Sequence, residues 1–358
     1  MRKTAGLLAS VAILASALIG APAANAAASD LVAGGSSFAG GIMQACATNY
    51  AGAFPAQGTV TYTKTNSQGG KDNFRLGTYD FGGTDFIYTG SNGDVRPTNA
   101  RYIAVTSGPI AIAYNLAGIT GLKITPEILA KIYKGTITTW NNSEIKSIQS
   151  LGIQRQLEAL ANKNITPAYR TAGSGTSDNF SGYLNDTTNN FTQSSDWSVA
   201  TGVQTPRGNA YSSSGNLKTG VLNTAGSIGY LDLKDASGLQ IALLRNQSGQ
   251  YYAADAKRSA TFLNAQSADA VQANGNVRID WTKAVSGGYN ASLYTYAIVN
   301  VDATKPINVG VSVKGANLKK FLGYVLSTCG PAISYNLGYT PVQGAVRTKA
   351  LALINYIK

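Results

Sequence analysis

The chain has 358 residues, only 13% of them charged, and carries a formal net charge of +12. It contains no histidine, so a Ser-His-Asp or Cys-His triad cannot be assembled and zinc loses its commonest protein ligand, which excludes most hydrolase mechanisms. Gly, Ser, Thr, Asn and Tyr fill a surface with about half the usual charged share, as in many exported proteins, and the positive field attracts anions at long range.

Arg2 and Lys3 precede an uncharged apolar run over residues 5–21, and Ala24-Asn25-Ala26 supplies the small-x-small pattern of a cleavage site. This predicts a signal peptide over residues 1–26, cut before Ala27; the run is shorter than the ~20 residues a membrane span requires. No later stretch is apolar for long enough to span. The residue at the predicted cut is Ala27 and not cysteine, so a lipid anchor has no attachment point there, and a freely diffusing periplasmic or secreted protein is expected. The remaining chain is too long for one ordinary core and fits two domains.

From Asp30 onward, short strand-like runs, glycine-rich turns and amphipathic helices alternate, the pattern of an α/β protein. Residues 31–33 read as a strand and 34–40 as a turn, after which Ile42, Cys46 and Tyr50 recur at helical spacing and bury Cys46. A strand is expected over 60–63, a turn over 67–70, a short helix over 71–76 and a strand over 79–84. The stretch 103–115 is strand-like on both sides of Gly108-Pro109 and is expected to cross between domains. Thr125-Pro126-Glu127 is a strong helix start, with a capping hydroxyl, an early proline and an acid facing the dipole; Lys134-Gly135 ends that helix. Strands follow at 228–231 and 296–299, the latter returning the chain to its first domain. A C-terminal helix places Val346, Ala350, Leu353 and Ile357 on one face.

Cys46 and Cys329 are the two cysteines of the sequence. In an oxidising compartment they are expected to pair, which would set both ends of the mature chain in one domain; two buried thiols are the alternative.

Three polar, glycine-rich turns follow a strand and open a helix: 34–38, 67–70 and 173–177. Glycines let backbone approach closely, and the first amides of each helix point unpaired at whatever sits there, which favours an anion. Gly173-Ser174-Gly175-Thr176-Ser177 lacks the lysine and the spacing of a nucleotide P-loop. Lys and Arg are scattered singly apart from pairs such as Lys257-Arg258 and Lys319-Lys320, so no nucleic-acid surface is indicated.

These motifs carry a resemblance. AGGSSF at 33–38, SQGG at 67–70, DFGGTD at 80–85, LAKIYKGTITTW at 129–140, RTAGSGT at 170–176 and AGSIGY at 225–230 resemble, in order, the segments of the periplasmic phosphate-binding proteins of Pst-type ABC importers. The resemblance implies a two-lobed periplasmic-binding-protein (Venus flytrap) fold: mixed sheets flanked by helices, with two crossover strands as hinge. Residues 27–109 and 297–358 would form lobe I and 110–296 lobe II. It further implies a monomer that binds inorganic phosphate between the lobes and delivers it to a membrane permease, with no catalytic role, cofactor or metal.

Residue by residue, the resemblance implies that Ser37 and the Phe38 amide bind phosphate oxygens, that Ser67 adds its hydroxyl and that Arg170 clamps two oxygens in a fork. Ser174, Gly175 and Thr176 would supply amides and hydroxyls at a helix start. Asp85 would accept a hydrogen bond from the protonated ligand; two unprotonated anions in contact would repel strongly, so sulfate would be refused. Where the family has an aspartate two positions after the arginine, this chain has Ala172, so Arg170 needs another support, for which Asp178 is the expected candidate. Ser37 for threonine and Gln68 for serine are milder departures. The alternatives are an extracellular phosphatase using the same cradle, and a secreted scavenging or adhesion paralogue without transport.

Overall fold

The computed structural model describes residues 30–90, 93–302 and 312–358; the expected signal peptide lies outside them. The strands are β1 (Leu31–Gly35), β2 (Val60–Lys64), β3 (Phe81–Thr84), β4 (Ala100–Tyr114), β5 (Lys123–Ile124), β6 (Thr166–Arg170), β7 (Asn209–Tyr211), β8 (Ser227–Asp232), β9 (Gln240–Ile241), β10 (Leu243–Arg245), β11 (Tyr251–Tyr252) and β12 (Ser292–Asn300). The main sheet runs β2-β1-β3-β12-β4-β8-β6-β7, with β9 added beside β4; β11, β10 and β5 form a small separate sheet.

Pairing direction divides the main sheet. β2, β1 and β3 are mutually parallel, as are β8, β6 and β7. These are two half-sheets of α/β type, each with helices in its crossovers. Between them lie β12 and β4, paired antiparallel from Ser292 opposite Pro109 to Asn300 opposite Ala100. β4 then continues without a break, and its residues 110–114 pair with β8. One 15-residue strand thus belongs to both half-sheets, and nearly all of it is buried, which explains its continuous apolar run. This is the expected α/β, two-lobed architecture with long strands crossing between the halves.

Most expected elements appear at or near their sequence positions. The segment 67–70, expected as a turn ahead of a helix, is instead the first turn of the helix Ser67–Arg75, because the Asn66 side chain caps it by accepting from the Gly69 amide at 2.7 Å. The C-terminal helix ends at Ile354, so Ile357 lies beyond it, buried and bridged to Val301.

Cys46, in the helix Gly40–Ala53, is disulfide-bonded to Cys329, 283 residues later, with their Cα atoms 5.7 Å apart. Around it, Tyr50 packs on Phe54, Phe321 and Tyr324. The bond therefore sews the first helix to the C-terminal helices. In the chain-entropy account, closing so long a loop stabilises the fold by up to roughly 5 kcal/mol.

Candidate functional site

The parallel strands of both half-sheets point their carboxyl ends at one crevice, the position where open α/β sheets bind ligands. After β1 come Ser36, Ser37 and Phe38, and after β2 comes Ser67. Asp85 follows β3, Arg170 ends β6, and Ser212 to Ser214 follow β7. Helices Gly40–Ala53, Ser67–Arg75, Gly175–Thr188 and Ser214–Asn223 open at this crevice, so their leading amides and dipoles converge on it.

Close approach is what the glycines permit. Gly35 has φ +132°, and a Cβ there would sit 2.1 Å from the Gly83 carbonyl oxygen and 2.7 Å from Gly70 Cα. Three glycines from three elements interlock, seating the 34–38 turn directly on the start of the second helix. Across the crevice, a Cβ on Gly175 would lie 2.4 Å from Ser67 Oγ and 2.6 Å from Asp85 Cβ. No side chain fits between the halves at that point.

Asp85 is 4% exposed and sits at the centre. Its Oδ1 accepts from Ser36 Oγ at 2.5 Å and Thr295 Oγ1 at 2.6 Å, and its Oδ2 accepts from Ser67 Oγ at 3.2 Å. Burial raises its pKa, against the lowering influence of those three hydroxyls and the more distant Arg170. Two lone pairs per oxygen leave Oδ1 full and Oδ2 with one acceptor position. Thr295 reaches Asp85 from a β-bulge: pairing of β12 with β4 skips Val105 between Thr295 and Tyr296, and such irregularities re-aim side chains.

Arg170 is fully buried, and burial works against its charge. Its Nε donates to the Tyr211 carbonyl at 3.2 Å and its Nη2 to the Ser212 carbonyl at 2.9 Å. Nη1 donates to Ser214 Oγ at 3.1 Å and, from the opposite half, Ser37 Oγ at 3.3 Å. Asp178 is not its support: Asp178 Oδ1 accepts from Gln193 Nε2 at 2.8 Å. The strand-to-helix turn 211–214 takes that role because its carbonyls lie within reach of the guanidinium fork.

Of the remaining expected residues, Ser174 caps the Gly175–Thr188 helix through the Ser177 amide, and Thr176 is buried in its first turn. Phe38 is buried, its ring 6.0 Å from that of Tyr339 and its carbonyl accepting from Tyr339 Oη at 2.9 Å. Ser37, Ser67, Asp85, Arg170 and Gly175 are thus brought into one contiguous site, with Phe38, Ser174 and Thr176 on the adjoining backbone. The halves also touch through the Gln68 amide donating to the Gly173 carbonyl at 3.1 Å and Asn179 Nδ2 donating to the Asp85 carbonyl at 2.7 Å.

Sequence reasoning missed Ser36, Thr295 and Ser214. Ser36 stood inside a motif already singled out. Tyr211-Ser212-Ser213-Ser214-Gly215 is a fourth strand–polar turn–helix junction and was legible by the same rule. Nothing in the sequence around Thr295 announces a bulge. What the assembled groups can do is hold a small tetrahedral anion: donors surround it on both sides, and the single open acceptor position on Asp85 can accept a hydrogen bond from an O–H that the anion carries.

Comparison with known proteins gives a consistent result. The chain is 32% identical over 191 residues to "Phosphate-binding protein PstS 2" of Mycobacterium tuberculosis, covering 51% of this chain and 49% of that protein. It is 28% identical over 200 residues to "Phosphate-binding protein PstS" of Xylella fastidiosa, covering 54% and 51%. The chain thus spans about half the length of the curated relatives it matches. Among solved structures, it is similar to the phosphate-binding protein of Stenotrophomonas maltophilia, with a TM-score of 0.63 and 18% identity over 90% of this chain and 93% of that one. An ABC-type phosphate transport receptor from Vibrio cholerae aligns with a TM-score of 0.51 and 16% identity, over 87% and 100%. These two establish the fold. The family model described as the PBP superfamily domain matches residues 20–328, and the chain belongs to that family.

Proposed function

We propose that this protein binds inorganic phosphate between its lobes and delivers it to the membrane permease of an ABC importer, as a monomer exported by a cleaved signal peptide and needing no cofactor. In this reading lobe I comprises residues 27–109 and 297–358 and lobe II residues 110–296; the change of β4 partner between Pro109 and Ile110 supports the first boundary. The ligand contacts are Ser37, the Phe38 amide, Ser67, Asp85, Arg170, Ser174, Gly175 and Thr176. Binding favours the closed form because the donors come from both lobes.

The observation that carries this reading is the state of Asp85: a buried carboxylate inside an anion cradle, with one acceptor position left on Oδ2. A fully ionised guest would face an anion at contact distance, whereas hydrogen phosphate brings a proton to fill that position. Calorimetry with phosphate and with sulfate tests it: phosphate binds and sulfate does not. In Asp85→Asn, the amide oxygen can keep Ser36 and Thr295 while the new N–H₂ donates. Phosphate should weaken by about 1–3 kcal/mol and sulfate should gain. Equal affinities for the two anions in the wild type would end the proposal.

A further inference from the structure

Asp85 also lines a second chamber, whose wall contains none of Ser37, Ser67 and Arg170. It is a cavity of about 530 Å³ at the seam of the two halves, walled by residues 85–89 from one and by Asp178, Asn179, Asp186 and Gln193 from the other. Its volume falls in the range of small-molecule sites, which favour domain interfaces. Its chemistry opposes that of the cradle. Asp178 and Asp186 line it with Asp85, against the single guanidinium of the exposed Arg278.

Asp178 is 8% exposed. Gln193 satisfies its Oδ1, and among the described residues its Oδ2 has no hydrogen-bond partner. That oxygen is not among the buried, unsatisfied polar atoms of the described residues, so it stays accessible to a donor or cation entering the chamber. Asp186 is held by Asn185 Nδ2 at 3.1 Å, and the nearby Asp280 adds to the negative potential.

The rest of the wall is aromatic: Phe86, Tyr88, Trp281 and Tyr296. Their polar tips are engaged elsewhere. Tyr88 Oη donates to the Lys71 carbonyl, Trp281 Nε1 donates to the Ser292 carbonyl, and Tyr296 Oη accepts from the Val277 amide. What these residues offer the chamber is ring surface. Two rings already serve a cation, since Lys71 Nζ lies 3.6 Å from the Phe86 centroid and 5.2 Å from that of Tyr88 while bonded to Asp94 at 2.8 Å, which leaves Trp281 and Tyr296 as the rings without a resident cation.

Carboxylates combined with aromatic faces in a recess are the recognition chemistry of an alkylated ammonium group, which takes Coulomb attraction from the acids and cation–π attraction from the rings. We propose that this cavity is a binding site for a small organic ammonium cation, held by Asp178 and Asp186 against the aromatic wall. Because the wall is drawn from both halves of the molecule, an occupant also favours their closed arrangement, and Asp85 is common to the two chambers. The coupling clause rests on the phosphate reading; the cation site does not.

Choline is the probe, titrated into the full chain by calorimetry without phosphate, at ionic strength fixed with sodium chloride. Saturable millimolar or tighter binding is expected, with a rise in Tm that equimolar sodium chloride does not give. The neutral isostere 3,3-dimethylbutan-1-ol should bind at least tenfold more weakly. Asp178→Asn, which keeps the Gln193 bond, should lower choline affinity at least tenfold and leave phosphate affinity within twofold. Phosphate-saturated protein should bind choline more tightly than phosphate-free protein, and reciprocity requires the converse. Absence of choline binding, equal binding of the neutral isostere, or unchanged choline affinity in Asp178→Asn would each overturn the site. A failure of phosphate binding alone would leave the choline titration standing.

Discussion

The two chambers that share Asp85 treat a buried carboxylate in opposite ways. On the cradle side three hydroxyls, two of them carried on a turn and a bulge, fill three of its acceptor positions. On the cavity side Asp178 keeps one bond, from Gln193, and burial pushes its pKa up to about 6. The lesson is that burial alone does not define a site; the degree of satisfaction does. A cradle already supplied with partners should lose when any is removed, and an under-partnered wall should gain stability when its charge is removed.

The largest effect should follow from the cradle. Arg170→Ala removes the guanidinium that bonds Ser37 in one half and Ser214 in the other, and should weaken phosphate binding by about 2–5 kcal/mol. Calorimetry reads the loss, and wild-type affinity in the variant would remove Arg170 from the site.

On the cavity side the sign reverses. The Asp178 carboxyl has a folded-state pKa of about 6 against an ordinary 3.8, raised by burial and by Asp85 and lowered by Gln193 and Lys71. Folded protein therefore holds this proton more tightly. The group costs nothing below the ordinary value, and its cost grows as pH rises toward about 6 and is full above it. Asp178→Asn should raise stability at pH 8 by up to about 3 kcal/mol and by little at pH 4. Urea unfolding at both pH values, taken as a difference from wild type because Asp85 shifts in the same direction, checks this. A uniform change across pH would assign the effect to packing.

The smallest effect concerns the bulge. Thr295→Val deletes one hydroxyl from Asp85 Oδ1 while keeping the shape, and should raise the pKa of Asp85 further and weaken phosphate binding by about 0.5–1.5 kcal/mol. An unchanged affinity would mean that Ser36 alone orients the carboxylate.

The sequence made visible those parts of the molecule that depend on local chemistry. Apolar periodicity identified β1, β4, β8 and β12, the Thr125 cap marked a helix start, and glycine-rich turns marked three of the four helix openings at the crevice. It hid what depends on distant pairing. The Thr295 bulge exists only because β12 and β4 slip by one residue, and the support of Arg170 comes from carbonyls of Tyr211 and Ser212 that any residue type would carry. The Asp178 expectation failed for the same reason: proximity along the chain to a motif says nothing about Gln193, fifteen positions further on.

The link between Cys46 and Cys329 has a consequence for how the molecule is made. Cys46 is made 283 residues ahead of Cys329, so the bond cannot form until the chain is nearly complete. Helix 40–53 must find its place by packing alone, with Tyr50 against Phe321 bringing the sulfurs together. The bond is a latch fastened after assembly, and it slows unravelling of the finished structure more than it speeds its construction.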